Sequence, residues 1–223
     1  ARTFRVAGSR NPFAQPANFS VDVFRRGGRE ELSNHVMAAP PIVLSIAGFD
    51  PTAGAGVAAD LKTFSAHNCY GVAAITALTV QSTQGVKSVH DTPATELRAQ
   101  LDTLLEDIRI SAIKIGMLGH RGNAVVVADF LDRAGVAHVV LDPVMKSTSG
   151  DKDLIDAGGI RFLMEELMKR ATVVTPNISE AEILSGITLP AHWPAPAALT
   201  RGRDTLDVWL DSGSTHAAVL KRA

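Results

Sequence analysis

From residue 42 onward, short apolar runs alternate with segments whose apolar residues recur at helical spacing. The apolar runs predict strands over residues 42–47, 70–80, 112–116, 138–141 and 172–175. The run over residues 70–80 shows little alternation of apolar and polar positions, which is typical of a strand covered on both faces. This succession of strands and helices predicts an α/β domain built on a parallel sheet with helices on both faces.

Helical stripes and end signals place the predicted helices. A stripe of leucine and isoleucine residues predicts a helix between residues 93 and 108, with Thr92 as its N-cap and Pro93 at its first position. A helix over about residues 121–134 is expected to end at Gly135. Further elements are predicted as helices over residues 56–68, 160–168, 178–185 and 200–211, and as a last strand near 217–220.

Residues 1–36 differ from the part of the chain in which strands and helices alternate. The first 20 residues hold three arginines and no acidic residue, a composition compatible with an organelle transit peptide. Met37, which is followed by two alanines and two prolines, favours instead an extension outside the folded domain. We therefore predict an N-terminal extension over residues 1–36 and one domain over residues 37–223.

Composition restricts the functions that this chain can have. Its 223 residues are 46% apolar and include 22 basic and 23 acidic side chains, for a net charge of −1. This balance argues against a broad surface for nucleic acid, and no apolar run reaches the roughly 18 residues that would span a membrane. The single cysteine, Cys69, excludes an internal disulfide and fits a reducing, cytoplasmic compartment. We therefore expect a globular protein that binds a small molecule.

Polar residues at the ends of the predicted strands are the first candidates for a site, because ligands of open parallel sheets bind at the carboxyl ends of the strands. The five predicted strands lead into loops that contain Asp50, Gln81, Gly116, Asp142 and Thr175. Asp60 falls inside the apolar stripe of its predicted helix, and a buried carboxylate needs a partner. It is either an acceptor for a ligand or a first-turn aspartate favoured by the helix N-terminus.

Several candidates also have purely structural interpretations. Asp142 can hold Mg²⁺, which takes one or two carboxylates together with phosphate oxygens and water, or it can cap a helix or a loop. Asn177 and Glu180 have the spacing of a capping box, which explains both residues without a ligand. Lys114, inside an apolar strand, is interpreted as an edge or snorkelling lysine and not as a catalytic residue.

The segment Gly54–Ala59 matches the G-x-G-x-x-A pattern of dinucleotide-binding loops. Its glycines begin seven residues after the predicted strand, and no acidic residue ends the second strand to bind a ribose. Both departures disfavour a nicotinamide-dependent oxidoreductase. The histidines show no spacing that suits a zinc site.

Six segments, taken in chain order, resemble the hydroxymethylpyrimidine/phosphomethylpyrimidine kinases of thiamine biosynthesis: residues 46–56, 59–64, 76–83, 114–118, 141–145 and 175–180. The resemblance covers about residues 42–186 and implies the ribokinase-like fold, a three-layer α/β/α arrangement with a mostly parallel central sheet. It also implies ATP-dependent phosphorylation of 4-amino-5-hydroxymethyl-2-methylpyrimidine and then of its monophosphate, with Mg²⁺ as cofactor. We further expect a homodimer, with neither nucleic acid nor membrane among its partners.

Carried over position by position, the resemblance implies that five residues bind the pyrimidine: Gly48, Asp60, Gln81, Met117 and Val144. Asp60 and Gln81 would read the ring nitrogens and the amino group, while Met117 and Val144 would pack against the ring. Asp142 and Glu180 would organise Mg²⁺ and its waters. Asn177 would lie close to ATP, as would Lys221, which matches a lysine of the family's Lys-Gly-Gly-His stretch although the two following residues do not continue it.

Two departures from the family pattern bear on activity. The family's Gly-Thr-Gly-Cys-like segment forms the anion hole and carries the catalytic base, and this sequence holds no counterpart. We expect that segment beyond Ala223, so the catalytic base is unknown. We expect the chain to be either a fragment of a kinase or a shortened, non-catalytic relative that binds the pyrimidine. Phe49 stands where a small hydroxyl residue is usual. The enzymatic alternative is a pyridoxal/pyridoxine kinase-like protein, although Gln81 together with Asp60 favours the aminopyrimidine.

Overall fold

The computed structural model describes residues 39–146, 153–186 and 188. The chain divides into two units, Ala1–Pro40 and Pro41–Ala223, and only residues 39 and 40 of the first unit are among those described. The predicted boundary after residue 36, the predicted helix over residues 200–211 and the predicted strand near 217–220 lie outside the described residues.

Six strands of the described part of the chain form one sheet, in the order β3-β2-β1-β4-β5-β6. They are β1 (Ile42–Phe49), β2 (Tyr70–Ser82), β3 (Gly85–Asp91), β4 (Ala112–Ile115), β5 (Val139–Leu141) and β6 (Val173–Val174). Neighbouring strands run parallel, except that β2 and β3 are antiparallel. The predicted α/β class with a mostly parallel sheet is confirmed.

Helices connect the parallel strands. They are α1 (Gly56–Ala66), α2 (Ala94–Asp107), α3 (Arg121–Ala134), α4 (Ala157–Phe162), α5 (Met168–Arg170) and α6 (Ile178–Ser185). A π-helical segment, Leu163–Leu167, joins α4 to α5, so the helix predicted over residues 160–168 lies within one longer helical run over residues 157–170. Within the described ranges, no helix is both long enough and apolar enough to cross a membrane.

The helices lie on both faces of the sheet, because successive residues of a strand point to opposite faces. Val43 of β1 is buried in a cluster with Phe64 of α1. Its neighbour Leu44 is buried in a larger cluster that includes Leu97 of α2 and Phe130 of α3. The fold is therefore the three-layer α/β/α arrangement that the resemblance implies.

Strand β3 is an element that the hydrophobic pattern did not predict. Its sequence, Gly-Val-Lys-Ser-Val-His-Asp, contains no apolar run, because β3 is an edge strand that stays partly exposed. The chain turns back immediately after Ser82, so Gln81 lies inside β2, where it pairs with Val86, and does not follow the strand as expected.

The ends of the helices follow local chemistry, with one exception to the predictions. Gly135 ends α3 in the left-handed region, with φ of 59°, and Asn177 is the N-cap of α6, as predicted. The prediction of Thr92 as an N-cap is wrong, because Pro93 holds that position with ψ of 140° and α2 begins one residue later. The Thr92 N–H donates instead to the Thr76 carbonyl oxygen of β2.

The loop between β1 and α1 is organised around one buried carboxylate, that of Asp50. Asp50 accepts hydrogen bonds from three backbone N–H groups of the loop, those of Thr52, Gly54 and Ala55. Gly56 follows with φ of 59°, and a Cβ added there would overlap the Gly48 carbonyl oxygen. This close approach of two backbone segments fixes the start of α1 against the carboxyl end of β1.

Gly56→Ala is expected to destabilise the protein more than Gly135→Ala. Both glycines have φ of 59°, so alanine costs each position about 1–2 kcal/mol in the left-handed region. Only at residue 56 would the added methyl group also collide with backbone, since no described atom lies within 4 Å of a Cβ at residue 135. Urea unfolding of the two variants measures the difference. Equal losses of unfolding free energy would contradict the close approach of Gly48 and Gly56.

Candidate active site

Asp60 lies on the face of α1 that packs against the sheet, and its side chain is fully buried. The Ser45 hydroxyl of β1 donates a hydrogen bond to Asp60 Oδ2 at 2.6 Å. The Lys114 ammonium lies 3.2 Å from Asp60 Oδ1. Asp60 is beyond the first turn of α1, which holds no acidic residue, so a favourable helix N-terminus does not explain it. Its two carboxylate oxygens are held by side chains from two neighbouring strands.

Lys114 lies on β4, an interior strand between β1 and β5, and only 5% of its side chain is exposed. The interpretation as an edge or snorkelling lysine is therefore wrong, because β4 has a paired strand on each side and the ammonium is enclosed. Burial alone would lower the pKa of Lys114, but the negative charges of Asp60 and Asp142 outweigh burial and raise that pKa. Lys114 is a buried cation whose charge two carboxylates maintain.

Asp142 follows β5 directly, and its Oδ2 lies 3.7 Å from the Lys114 ammonium. Its side chain is 25% exposed, so this carboxylate, unlike that of Asp60, reaches the surface. Asp60, Lys114 and Asp142 thus form a charge cluster of two carboxylates and one ammonium. The cluster connects a residue predicted to bind the pyrimidine with a residue predicted to hold Mg²⁺.

Three residues predicted to contact the pyrimidine lie close together. Met117 and Val144 pack in one apolar cluster with Ala77, Val89 and Leu154. Gly48 lies against this cluster, since a Cβ at residue 48 would be 3.3 Å from the Met117 sulfur. We call Gly48, Met117 and Val144 the apolar wall. It lies at the carboxyl ends of β1, β4 and β5, beside Asp142.

Gln81 lies near the end of β2, beyond a bulge in the pairing of β2 with β1. Between the pairs Ala47–Ile75 and Phe49–Leu78, β2 has one extra residue, so strand alternation does not carry the face covered by α1 through to Gln81. Gln81 shares its face of β2 with Ala77, which packs in the same cluster as the apolar wall. Among the described residues, no hydrogen bond joins Gln81 to Asp60.

The Thr79 hydroxyl constrains the Gln81 amide. Thr79 Oγ1 lies 3.0 Å from the Phe49 carbonyl oxygen and 3.2 Å from Gln81 Oε1. A hydroxyl carries one hydrogen and can donate to only one of these oxygens. When it donates to Phe49, turning the Gln81 amide by about 180° lets Nε2 donate to Thr79 and leaves Oε1 to accept a hydrogen bond from a ligand.

Glu180 and Asn177 form the capping box that their spacing predicts. Glu180 Oε2 accepts from the Asn177 N–H, and Asn177 Oδ1 accepts from the Glu180 N–H, both at 2.9 Å. Glu180 Oε1 also accepts from the Met145 N–H at 3.4 Å. Glu180 is buried, so the same side chain that begins α6 also fixes the loop that follows Asp142.

The donor set suits an Mg²⁺ ion that shares its coordination with phosphate and water. In the described ranges, no three His, Cys, Asp or Glu side chains are grouped so that they could hold a metal. Mg²⁺ with a nucleotide needs only one or two protein carboxylates, which Asp142 and Glu180 can supply. Nearby, Thr175 Oγ1 is buried with no hydrogen-bond partner in the described part of the chain. Lys221 lies outside the described residues.

Sequence reasoning missed Ser45 and Lys114 as members of the site. A signal for Lys114 was present, because a lysine in the middle of an apolar strand needs anionic partners when that strand is interior. Asp60 and Asp142 were already candidates, so the three residues could have been grouped once the strand order was known. Ser45 gives no comparable signal, since a single serine in an apolar strand has many structural explanations.

Known proteins provide an independent comparison. The family model described as phosphomethylpyrimidine kinase matches residues 50–200. A hydroxymethylpyrimidine/phosphomethylpyrimidine kinase of Rhizobium meliloti is 48% identical over 145 residues, which are 65% of this chain and 54% of that protein. The thiamine biosynthesis multifunctional protein ThiED of Corynebacterium glutamicum is 42% identical over 207 residues, covering 90% of this chain and 27% of that protein. The chain spans about half the length of the curated kinases that it matches first.

Solved structures show the same relationship. The phosphomethylpyrimidine kinase of Clostridium difficile 630 is 34% identical, with a TM-score of 0.62, over 81% of this chain and 71% of that one. The pyridoxal kinase of Staphylococcus aureus in complex with AMP-PCP and pyridoxal is 37% identical, with a TM-score of 0.59, over 67% and 52% of the two chains. The matched segment, residues 50–200, contains the whole charge cluster. The predicted resemblance is confirmed: the chain belongs to the phosphomethylpyrimidine kinase family.

Proposed function

We propose that this protein phosphorylates 4-amino-5-hydroxymethyl-2-methylpyrimidine, and then its monophosphate, with ATP as donor, in thiamine biosynthesis. The observation that carries the proposal is the charge cluster, in which a buried carboxylate on α1 is linked through Lys114 to the strand-end carboxylate of Asp142. A carboxylate is the natural acceptor for the amino group of the pyrimidine. The curated kinases of the same family support the activity.

We place the pyrimidine between Asp60, Gln81 and the apolar wall. The flat ring suits the Met117 and Val144 side chains, since small-molecule sites combine apolar walls with a few placed polar groups. Asp60 Oδ1 accepts from the amino group, and Gln81 bonds a ring nitrogen or the same amino group. Because Asp60 is fully buried, the ring reaches it only after a neighbouring side chain moves.

We place Mg²⁺ and ATP at the adjoining strand ends. Asp142 and Glu180 would hold the ion and its waters, and Asn177 would bind the nucleotide. When bound, Mg²⁺ neutralises charge on the phosphates during phosphoryl transfer. The chain's own residues position the hydroxymethyl group.

We infer that the protein is a cytoplasmic homodimer. Cys69 is a free, buried cysteine, and burial raises the pKa of its thiol, which fits an inert structural thiol in a reducing compartment. On β2, Leu78 and Val80 are 51% and 49% exposed. Exposed apolar side chains of this kind are expected to be covered by a partner, and a second copy of this chain supplies the matching surface.

The proposed function is tested by titrating the pyrimidine alcohol and pyridoxal separately into the protein by calorimetry, and by measuring ADP formation with each. We expect tighter binding of the aminopyrimidine than of pyridoxal, and we expect ADP formation to depend on the aminopyrimidine in protein that includes the anion-hole segment. Preference for pyridoxal would instead assign the chain to pyridoxal kinases, a possibility that the similarity to the Staphylococcus aureus enzyme raises. Binding without ADP formation would identify a non-catalytic pyrimidine-binding relative.

Gln81→Ala is expected to weaken pyrimidine binding by about 1–3 kcal/mol, because it leaves a polar group of the bound ring unpaired. Asp60→Ala is expected to have an effect of the same size. The matched control is Gln84→Ala, since Gln84 is exposed in the turn after β2 and should not contact the ring. Calorimetry of the variants measures the effect, and unchanged affinity in Gln81→Ala would remove Gln81 from the site.

Asp142→Asn is expected to raise the Mg²⁺ concentration needed for half-maximal ATP binding, because the amide keeps the shape of the side chain and removes its charge. Asp107→Asn is the control, since Asp107 ends α2, the helix that leads into the amino end of β4, whereas Asp142 follows the carboxyl end of β5. An Mg²⁺ titration of ATP binding compares the two variants. Superimposable titrations of Asp142→Asn and the unmodified protein would refute the metal role.

A further inference from the structure

We infer that Lys114 is a positioning residue, which fixes the Asp60 carboxylate for the pyrimidine and, through Asp142, couples the pyrimidine half of the site to the Mg²⁺ half. This inference rests on the proposed function and assigns a role to a residue that the fold does not otherwise explain. An interior strand of a three-layer sheet ordinarily carries apolar side chains, and the neighbours of Lys114 on β4 are Ile113 and Ile115.

The geometry around Asp60 is that of a carboxylate oriented in advance. Ser45 donates to Oδ2 at 2.6 Å, and the Lys114 ammonium lies 3.2 Å from Oδ1. The Ser45 hydrogen bond and the Lys114 ion pair act on different oxygens, and together they fix the rotation of the carboxylate plane. Oδ1 is buried and accepts no hydrogen bond from the described part of the chain. A carboxylate has about four lone-pair positions, so capacity remains for an amino group of the ligand.

The sheet itself fixes the position of the ammonium. Ser45 and Lys114 are register partners on the adjacent parallel strands β1 and β4, so both side chains project from the same level of the sheet toward α1. Gly116 leaves space for the end of the lysine, because a Cβ there would lie 3.0 Å from the Lys114 ammonium nitrogen. The position of the cation is therefore determined by backbone pairing and does not depend on the ligand.

The charges of the cluster give Lys114 opposite effects on the two ligands. Two carboxylates share one ammonium, so the cluster carries a net charge of −1. Lys114 favours the ionised Asp60 that the pyrimidine requires, but its positive charge opposes Mg²⁺ at Asp142, since like charges repel strongly in a partly buried site. Loss of Lys114 is therefore expected to weaken binding of the pyrimidine and to favour binding of Mg²⁺.

The test is Lys114→Met, which keeps the length of the side chain and removes its charge, with Lys87→Met on the exposed edge strand β3 as the matched control. The pyrimidine is titrated alone, and Mg²⁺ is titrated in the presence of ATP, both by calorimetry. We expect pyrimidine affinity to fall by about tenfold or more, and Mg²⁺ affinity to be unchanged or higher. Damage to packing alone would weaken the binding of both ligands. Equal losses of affinity for the pyrimidine and for Mg²⁺, or an unchanged pyrimidine affinity, would therefore overturn the inference.

A second variant decides the matter if Lys114→Met does not fold, since removal of one member of a buried ion pair is strongly destabilising. Asp60→Asn leaves Asp142 as the only carboxylate that neutralises Lys114, so Mg²⁺ affinity at the other half of the site should fall by about threefold or more. Unchanged Mg²⁺ affinity would overturn the coupling. If the unmodified protein does not bind the pyrimidine, the proposed function fails. The Mg²⁺ titrations of Asp60→Asn and of the unmodified protein still test the coupling by themselves.

Discussion

The site depends on a lysine buried between two carboxylates near the carboxyl ends of the interior strands of the sheet. Removing three charges from water is costly unless they are arranged to compensate one another. Asp60, Lys114 and Asp142 come from three different elements, namely α1, β4 and the end of β5. Their ion pairs therefore require that helix and those strands to be in their native positions. The charged side chains that can bind ligands are thus the same ones that the fold must bury.

Local structure at the start of α1 and at the start of α6 positions the two carboxylates of the charge cluster. Gly56 lets the start of α1 approach the Gly48 carbonyl, which brings Asp60 over β1. On the other side, the capping box of α6 extends to the Met145 N–H through Glu180, and so fixes the loop that follows Asp142. Gly56 and Glu180 thus have structural roles that position the charge cluster, so that a small ligand and a metal ion can bind to its carboxylates.

The sequence was most informative where apolar residues form runs or stripes. Within the described residues, those patterns predicted the parallel strands and the helices between them, because burial on both faces leaves a clear signal in β1 and β4. They did not predict β3, whose exposed edge needs no apolar run, or the N-cap of α2. The pyrimidine, metal and nucleotide residues came from resemblance to a family. Lys114 was misinterpreted because its strand position, and so its burial, depends on long-range pairing that local pattern does not contain.

The most direct measurement is a crystal structure of this chain with 4-amino-5-hydroxymethyl-2-methylpyrimidine bound. We predict the amino group within hydrogen-bond distance of Asp60 Oδ1, the ring against Met117 and Val144, and the Lys114 ammonium still between Asp60 and Asp142. A ring bound away from these strand ends would contradict the proposed site. So would a ligand-bound structure in which Asp60 contacts only Ser45 and Lys114.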